Sequence, residues 1–276
     1  MLPIILETVA VVLLAGLGFF SGRWFSGLKK WWWVGFTIPF VLLVMIGSTR
    51  RYSGFEFVPP MAWLVQGRME FALAGFITTM VLTTPVLRLP RISTRRFVYA
   101  FMAFVVTSTS VWPFLAPVFN RGTLRAMQTR FDGDGVCRQN TDYTCGPAAA
   151  VTALRRLNYA AEEGELAVLA HTSTAIGTPP DLLCAALQKR YAAEGLHCAY
   201  RHFRNLDELK AAGLILAVTK FALFVDHYVV VLEVTDTEVR VADPLYGKQT
   251  YSREQFQNRW RYCGIVLSRD VRKDRP

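Results

Sequence analysis

Apolar residues follow two regimes along the chain. Up to residue 119 they come in long, nearly uncharged runs; beyond it they recur at the short spacings of amphipathic helices and strands. The runs cover residues 3–20, 31–48, 71–87 and 97–119. Each approaches the roughly 20 residues that a helix needs to cross a hydrocarbon core. About four transmembrane helices are therefore predicted, forming an α-helical membrane domain over residues 1–119. The first run lacks a basic start and a small-residue cleavage site, and three more runs follow, so it reads as a span rather than a signal peptide. Residues 51–66 are aromatic and contain Pro59-Pro60, which suits an interfacial or re-entrant piece.

The second half predicts an α+β domain. Residues 120–135 read as a linker that ends in the turn-rich Asp132-Gly133-Asp134-Gly135. Apolar positions at helical spacing (Val151, Leu154, Leu157) predict a helix over 146–158, with others over 181–193 and 206–212. Apolar runs at 214–219, 228–234 and 238–242 predict strands, the last two joined by a turn at Asp236-Thr237. A helix over 252–260 and a strand over 264–267 complete the domain, which is expected to span 136–268. Residues 269–276 read as a charged tail. Helices followed by strands imply an antiparallel sheet.

Composition sharpens the division. The chain is 52% hydrophobic and carries a net charge of +10. Residues 1–130 hold 13 Lys and Arg against 3 Asp and Glu, whereas residues 131–276 hold 18 of each. The positive excess therefore flanks apolar runs, where it sets membrane topology; it forms no basic patch on the globular half, and a nucleic-acid partner is not expected. The loops holding Arg23, Lys29 and Lys30, and Arg88, Arg91, Arg95 and Arg96, read as cytoplasmic. A multi-pass cell-membrane protein is thus expected, with its catalytic domain on the exoplasmic, or periplasmic, side.

The chemistry concentrates in QNTDYTCGPAAAVTALRRL, residues 139–157. Cys145 stands where a polar loop becomes a helix, and the N–H groups and dipole of a helix start favour an anion such as a thiolate. Pro147 costs nothing there, because its missing N–H would have no intrahelical partner. Gln139 is placed to donate to a developing oxyanion together with the Cys145 N–H. His227 opens the apolar strand HYVVVLEV, and Asp243 ends the next strand in Val-Ala-Asp-Pro. If those strands pair as a hairpin, Asp243 lies where it can orient the imidazole. Asp226 is expected to point to the opposite strand face, into solvent. His171, His197 and His202 read as structural histidines. Cys184 reads as core, and a Cys137–Cys198 pairing stays open. Tyr246 and Gly247 are candidates to shape a substrate cleft.

The order Gln-x5-Cys-Gly-Pro, then His at a strand start, then Asp-Pro, resembles the bacteriocin-processing, or double-glycine leader, cysteine peptidase family over residues 136–268. The resemblance implies a papain-like fold, a Cys145–His227–Asp243 triad, Gln139 as oxyanion donor, and cleavage of a leader peptide after a Gly-Gly-like pair. Thr144 stands where the family often has Asp, and no Walker motif of an exporter is present. The expected partners are a peptide or protein substrate and the lipid bilayer, with a separate export or assembly system as a further candidate. No metal or organic cofactor is implied. Two alternatives use the same domain: a cell-wall amidase or transacylase, and a non-catalytic peptide-binding scaffold.

Overall fold

The computed structural model describes residues 2–52, 54–222 and 225–270. It divides into two compact units, residues 1–119 and 120–276.

The first unit is helical. Helix α1 (Leu2–Gly27) is followed by the 3-10 turn Trp32–Phe36 and α2 (Thr37–Arg51). The short α3 (Met61–Val65) lies within the Pro59-Pro60 region, and α4 (Met69–Thr83) follows. Helix α5 (Ile92–Val106) continues through a π-helical turn, Thr107–Val111, into α6 (Trp112–Phe119). Four stretches, Ile4–Gly27, Trp32–Thr49, Met69–Arg88 and Ile92–Phe119, are long and apolar enough to cross a membrane. Leu13, Phe20, Phe40 and Phe104 all face outward, an exterior that water would not favour. Glu7, the one acid of the first run, reaches the buried Arg68 at 4.0 Å.

Helices α1 and α4 meet backbone to backbone. A Cβ at Gly18 would lie 2.4 Å from the Phe76 carbonyl oxygen, and one at Gly22 would lie 2.6 Å from that of Met80. Thr83 uses the space: its hydroxyl donates to Thr79 O at 2.6 Å and, across the interface, lies 3.3 Å from Phe19 O. Small residues and hydroxyls are what associate helices in lipid, where apolar side chains gain nothing by leaving their surroundings. Replacing Gly22 by Leu should force these helices apart at a cost of about 1–3 kcal/mol. A drop in the unfolding temperature of the detergent-solubilised chain, against an unchanged Gly16→Leu control whose Cβ meets open space, measures it.

The second unit is α+β. It opens with α7 (Arg121–Arg125), β1 (Arg130–Phe131) and β2 (Cys137–Arg138). Residues 120–135, expected as a linker, are thus folded into this unit. Leu124 of α7 is fully buried, and its carbonyl would lie 2.3 Å from a Cβ at Gly164. The turn signals at 132–135 mark only the β1–β2 hairpin, where Asp132 Oδ1 accepts the N–H of Asp134 at 3.1 Å and of Val136 at 2.9 Å.

Three helices follow: α8 (Cys145–Arg156), α9 (Glu163–Leu169) and α10 (Pro180–Tyr191). Then come β3 (Leu196–His202), α11 (Leu206–Ala211), β4 (Leu214–Ala222), β5 (Val225–Val234), β6 (Glu238–Asp243), β7 (Gly247–Ser252), α12 (Arg253–Arg259) and β8 (Trp260–Arg269). Strands β3 to β8 form one antiparallel sheet in the order β3-β8-β4-β5-β6-β7. Its central strands carry buried apolar side chains in succession, which is why β4, β5 and β8 read as apolar runs. A core of Phe203, Leu206, Phe256 and Trp260 with Val229, Val231 and Val241 joins α11 and α12 to the sheet. The strand at β8 ends at Arg269 rather than 267, so the expected tail begins within the sheet; residues 271–276 lie outside the described residues.

Cys184 and Cys198 are paired as a disulfide, with Cα atoms 5.8 Å apart. This corrects the reading of Cys184 as a plain core residue and excludes a Cys137–Cys198 bridge. The pairing follows from α10 packing directly on β3, which the spacing of the cysteines in the chain does not reveal.

Candidate active site

Cys145 is the first residue of α8. The loop before it is closed by hydroxyls: Thr144 Oγ1 lies 3.2 Å from Thr141 O and accepts the Thr141 N–H at 3.2 Å. Pro147 falls in the first turn, where no intrahelical donor is required. Gly146 is pressed against β5. A Cβ there would lie 3.2 Å from the Tyr228 ring and 3.3 Å from Leu183 Cδ2, tighter than ordinary contact. Tyr228 is itself fixed, its hydroxyl donating to Thr178 O at 2.8 Å. Because Tyr228 adjoins His227, this contact fixes the start of α8 against the strand segment that carries the histidine.

His227 is 7% exposed and Asp243 is 3% exposed. Strands β5 and β6 pair as a hairpin, with Val230 opposite Ala242, and their ends bring His227 Nε2 within 2.8 Å of Asp243 Oδ1. The same carboxylate oxygen accepts the N–H of Leu245 at 2.7 Å and lies 3.3 Å from the N–H of Tyr246. Asp243 is therefore an acceptor for the ring, and Nε2 carries the hydrogen between them. Cys145 lies near enough to the imidazole to act on its ionisation alongside Asp243. Burial draws the His227 pKa down, but the hydrogen bonds and charges of Asp243 and Cys145 outweigh it and raise the net value to about 9. The Phe221 ring lies beside the imidazole, centroids 5.6 Å apart.

Gln139 arrives from the other side. Its backbone N–H donates to Pro244 O at 3.1 Å, tying it to the turn after Asp243. Its side-chain Nε2 donates to Thr141 O at 2.8 Å, and its Oε1 is buried without a partner. The amide carries two hydrogens, so the Thr141 bond holds it while leaving one available. The structure thus brings Cys145 near a hydrogen-bonded His227–Asp243 pair and ties Gln139 to the turn that follows Asp243.

The other readings divide. Asp226 is not solvated: it is half-buried and accepts Arg261 Nε at 2.7 Å, because β8 runs close enough for the arginine to reach it. Tyr246 is exposed beside Asp243, and Gly247 has a φ of +82°, a conformation that other residues adopt with strain. Cys137 is buried, and burial together with the nearby Glu163 pushes its thiol up to about 12, so it is not a nucleophile at neutral pH. Among the described residues no group of three His, Cys, Asp or Glu side chains is arranged to hold a metal. Sequence reasoning missed Tyr228, which follows His227 in the same apolar strand, and Phe221, which lies in β4 beyond the strand expected at 214–219.

Residues 135–273 match the model of the peptidase C39 family. The chain belongs to this family. An uncharacterised protein of Methanothermobacter thermautotrophicus is 33% identical over 145 residues, covering 52% of this chain and 94% of that protein. One of Methanothermobacter marburgensis is 34% identical over 143 residues, covering 51% and 93%. Solved structures are similar as well. The peptidase domain of Streptococcus ComA, a bifunctional ABC transporter of a quorum-sensing pathway, has 19% identity, TM-score 0.43, and coverage of 48% of this chain and 96% of that one. A double-glycine-motif protease from an AMS/PCAT transporter, bound to a leader peptide, has 16% identity, TM-score 0.42, and coverage of 52% and 96%. By its family the second unit is a C39 domain of α+β, papain-like fold.

The raised pKa of His227 fixes a pH dependence. Folding favours the protonated ring, so its contribution to stability is complete below the ordinary histidine value near 6.5. That contribution fades as pH rises towards about 9. The unfolding temperature of the wild type should fall more between pH 6.5 and 9 than that of His227→Gln. Parallel curves in differential scanning calorimetry would contradict this origin of the shift.

Proposed function

We propose that the chain is a membrane-anchored cysteine peptidase with Cys145 as nucleophile, His227 as acid–base and Asp243 as the group that orients the ring. The observation that carries the reading is the buried, hydrogen-bonded His227–Asp243 pair next to Cys145 at the start of a helix. The Cys145 thiolate attacks the peptide carbonyl carbon, forming a C–S bond and an oxyanion. The N–H of Cys145 and the spare N–H of Gln139 receive that oxyanion. As the C–N bond breaks, the His227 imidazolium gives its proton to the leaving amine. The neutral ring then takes a proton from water, which attacks the thioester and releases the acid and the thiolate. Asp243 keeps Nε2 protonated, so that Nδ1 faces the sulfur at every step.

Four apolar helices support the membrane anchor. The charge distribution of the loops supports an exoplasmic face for the peptidase unit, and the Cys184–Cys198 pairing fits the oxidising side of a membrane. Family membership supports a peptide substrate, and a leader peptide cut after a Gly-Gly-like pair is the narrower reading.

Cys145→Ala should abolish cleavage, and Asp243→Asn should lower it by about 10³- to 10⁴-fold, the scale set by losing the correct histidine tautomer. Comparing the N-terminal peptides of cells with wild type and with Cys145→Ala should reveal an accumulating precursor with a small-residue pair at the cut; identical profiles would defeat the reading. Alkaline phosphatase fused to the C-terminus should be active, whereas a fusion active only as a cytoplasmic reporter reverses the topology.

A further inference from the structure

Glu163 is fully buried at the start of α9, outside the motif that carries the candidate chemistry. Its two carboxylate oxygens are both spent on one residue. Oε1 accepts the backbone N–H of Asn140 at 2.9 Å, and Oε2 accepts Asn140 Nδ2 at 2.6 Å. Asn140 Nδ2 also donates to Gln128 O at 2.9 Å. The carboxylate is anchored in turn, since the Glu163 backbone N–H donates to Thr129 Oγ1 at 2.9 Å. No ion pair to Glu163 occurs among the described residues. A buried carboxylate is costly unless it is well hydrogen-bonded, and charge-assisted bonds are the stronger and shorter kind.

What this grip controls is the neighbouring residue. The N–H of Asn140 belongs to the same rigid peptide plane as the carbonyl of Gln139. Holding that N–H fixes the plane, and with it the backbone on the C-terminal side of Gln139. The N-terminal side is held by the Gln139 N–H bond to Pro244 O, and the side chain by Thr141 O. Gln139 is thus constrained from three directions, and only one of these constraints comes from a side chain with no other visible task.

We propose that Glu163 is a positioning residue for the oxyanion donor Gln139, acting through Asn140. The inference rests on the proposed function, since it presumes that Gln139 serves acyl transfer. Glutamine at 163 keeps an acceptor for the Asn140 N–H but turns an N–H donor towards Asn140 Nδ2, so the bidentate hold is lost with little change of volume.

Two reactions of Cys145 separate the effects. Alkylation by iodoacetamide needs the thiolate and no oxyanion donor; acylation by p-nitrophenyl acetate builds an oxyanion. Both are measured on the full-length chain in detergent, with Cys145→Ala as the background. In Glu163→Gln, acylation should fall about tenfold to a hundredfold, the scale of a donor misplaced by about 1 Å. The alkylation rate and its pH profile should stay as in the wild type. Gln139→Ala should lower acylation by about 10²- to 10³-fold, and adding Glu163→Gln to it should lower it little further, because both changes act on one donor. Equal loss of alkylation and acylation, unchanged acylation, or two effects that multiply would each overturn the positioning role. A wild type that is alkylated but never acylated would instead overturn the proposed function, and this inference with it.

Discussion

The site rests on the close approach of residue 146 to the Tyr228 ring, which any side chain there would crowd. The start of α8 lies against the Tyr228 ring with less than ordinary clearance for even a Cβ, and Tyr228 is locked by its bond to Thr178 O. The sulfur of residue 145 and the imidazole of residue 227 come from elements more than 80 positions apart. Their meeting is decided by how closely one helix can approach one strand. A methyl group at 146 would have to displace a buried, hydrogen-bonded phenol. The Gly in Cys-Gly-Pro is therefore a packing requirement, and the Pro is tolerated only because a helix start has donors to spare.

Much of this was legible in the chain. The helix at 145–156 and the strands flanking His227 and Asp243 were readable, because apolar periodicity and turn residues are local properties. The hairpin that pairs β5 with β6 followed from a short polar turn between two apolar runs. What stayed hidden depends on contacts distant in sequence. The short helix α9 carries two acids, Glu163 and Glu165, in its first turn and reads as surface until Glu163 is seen enclosed by Asn140 and Thr129. Strand β3 alternates half-buried and exposed positions after the buried Leu196, and its pairing with β8 and its tie to α10 are tertiary facts. The supposed linker misled for a related reason: its glycines and aspartates mark a hairpin turn, and Leu124 alone signals burial.

The site also shows a division of labour among acids. Asp243 accepts the ring N–H together with a backbone N–H of its own turn, so its orientation is set locally. Among the described residues Glu163 has no ion pair; its hydrogen bonds go to a loop. Both are enclosed, and neither can turn without leaving polar groups unsatisfied, a condition that holds buried networks to one arrangement.

In the helical unit, the wide turn at Thr107–Val111 has a consequence for register. A π-helical turn takes up one residue more than an α-turn, and each residue of an α-helix advances the phase by about 100°. The surplus residue lets Val106 pack with Ala15 and Met102 while Phe114, beyond the turn, still meets Val11 and Ala72. Deleting one hydroxyl-bearing residue from 107–109 would let the segment relax to ordinary α-geometry with both faces preserved. The same deletion a turn earlier, within α5, would swing Met102 or its neighbours away from α1, so the hydroxyl-rich turn is where this span tolerates a change in length.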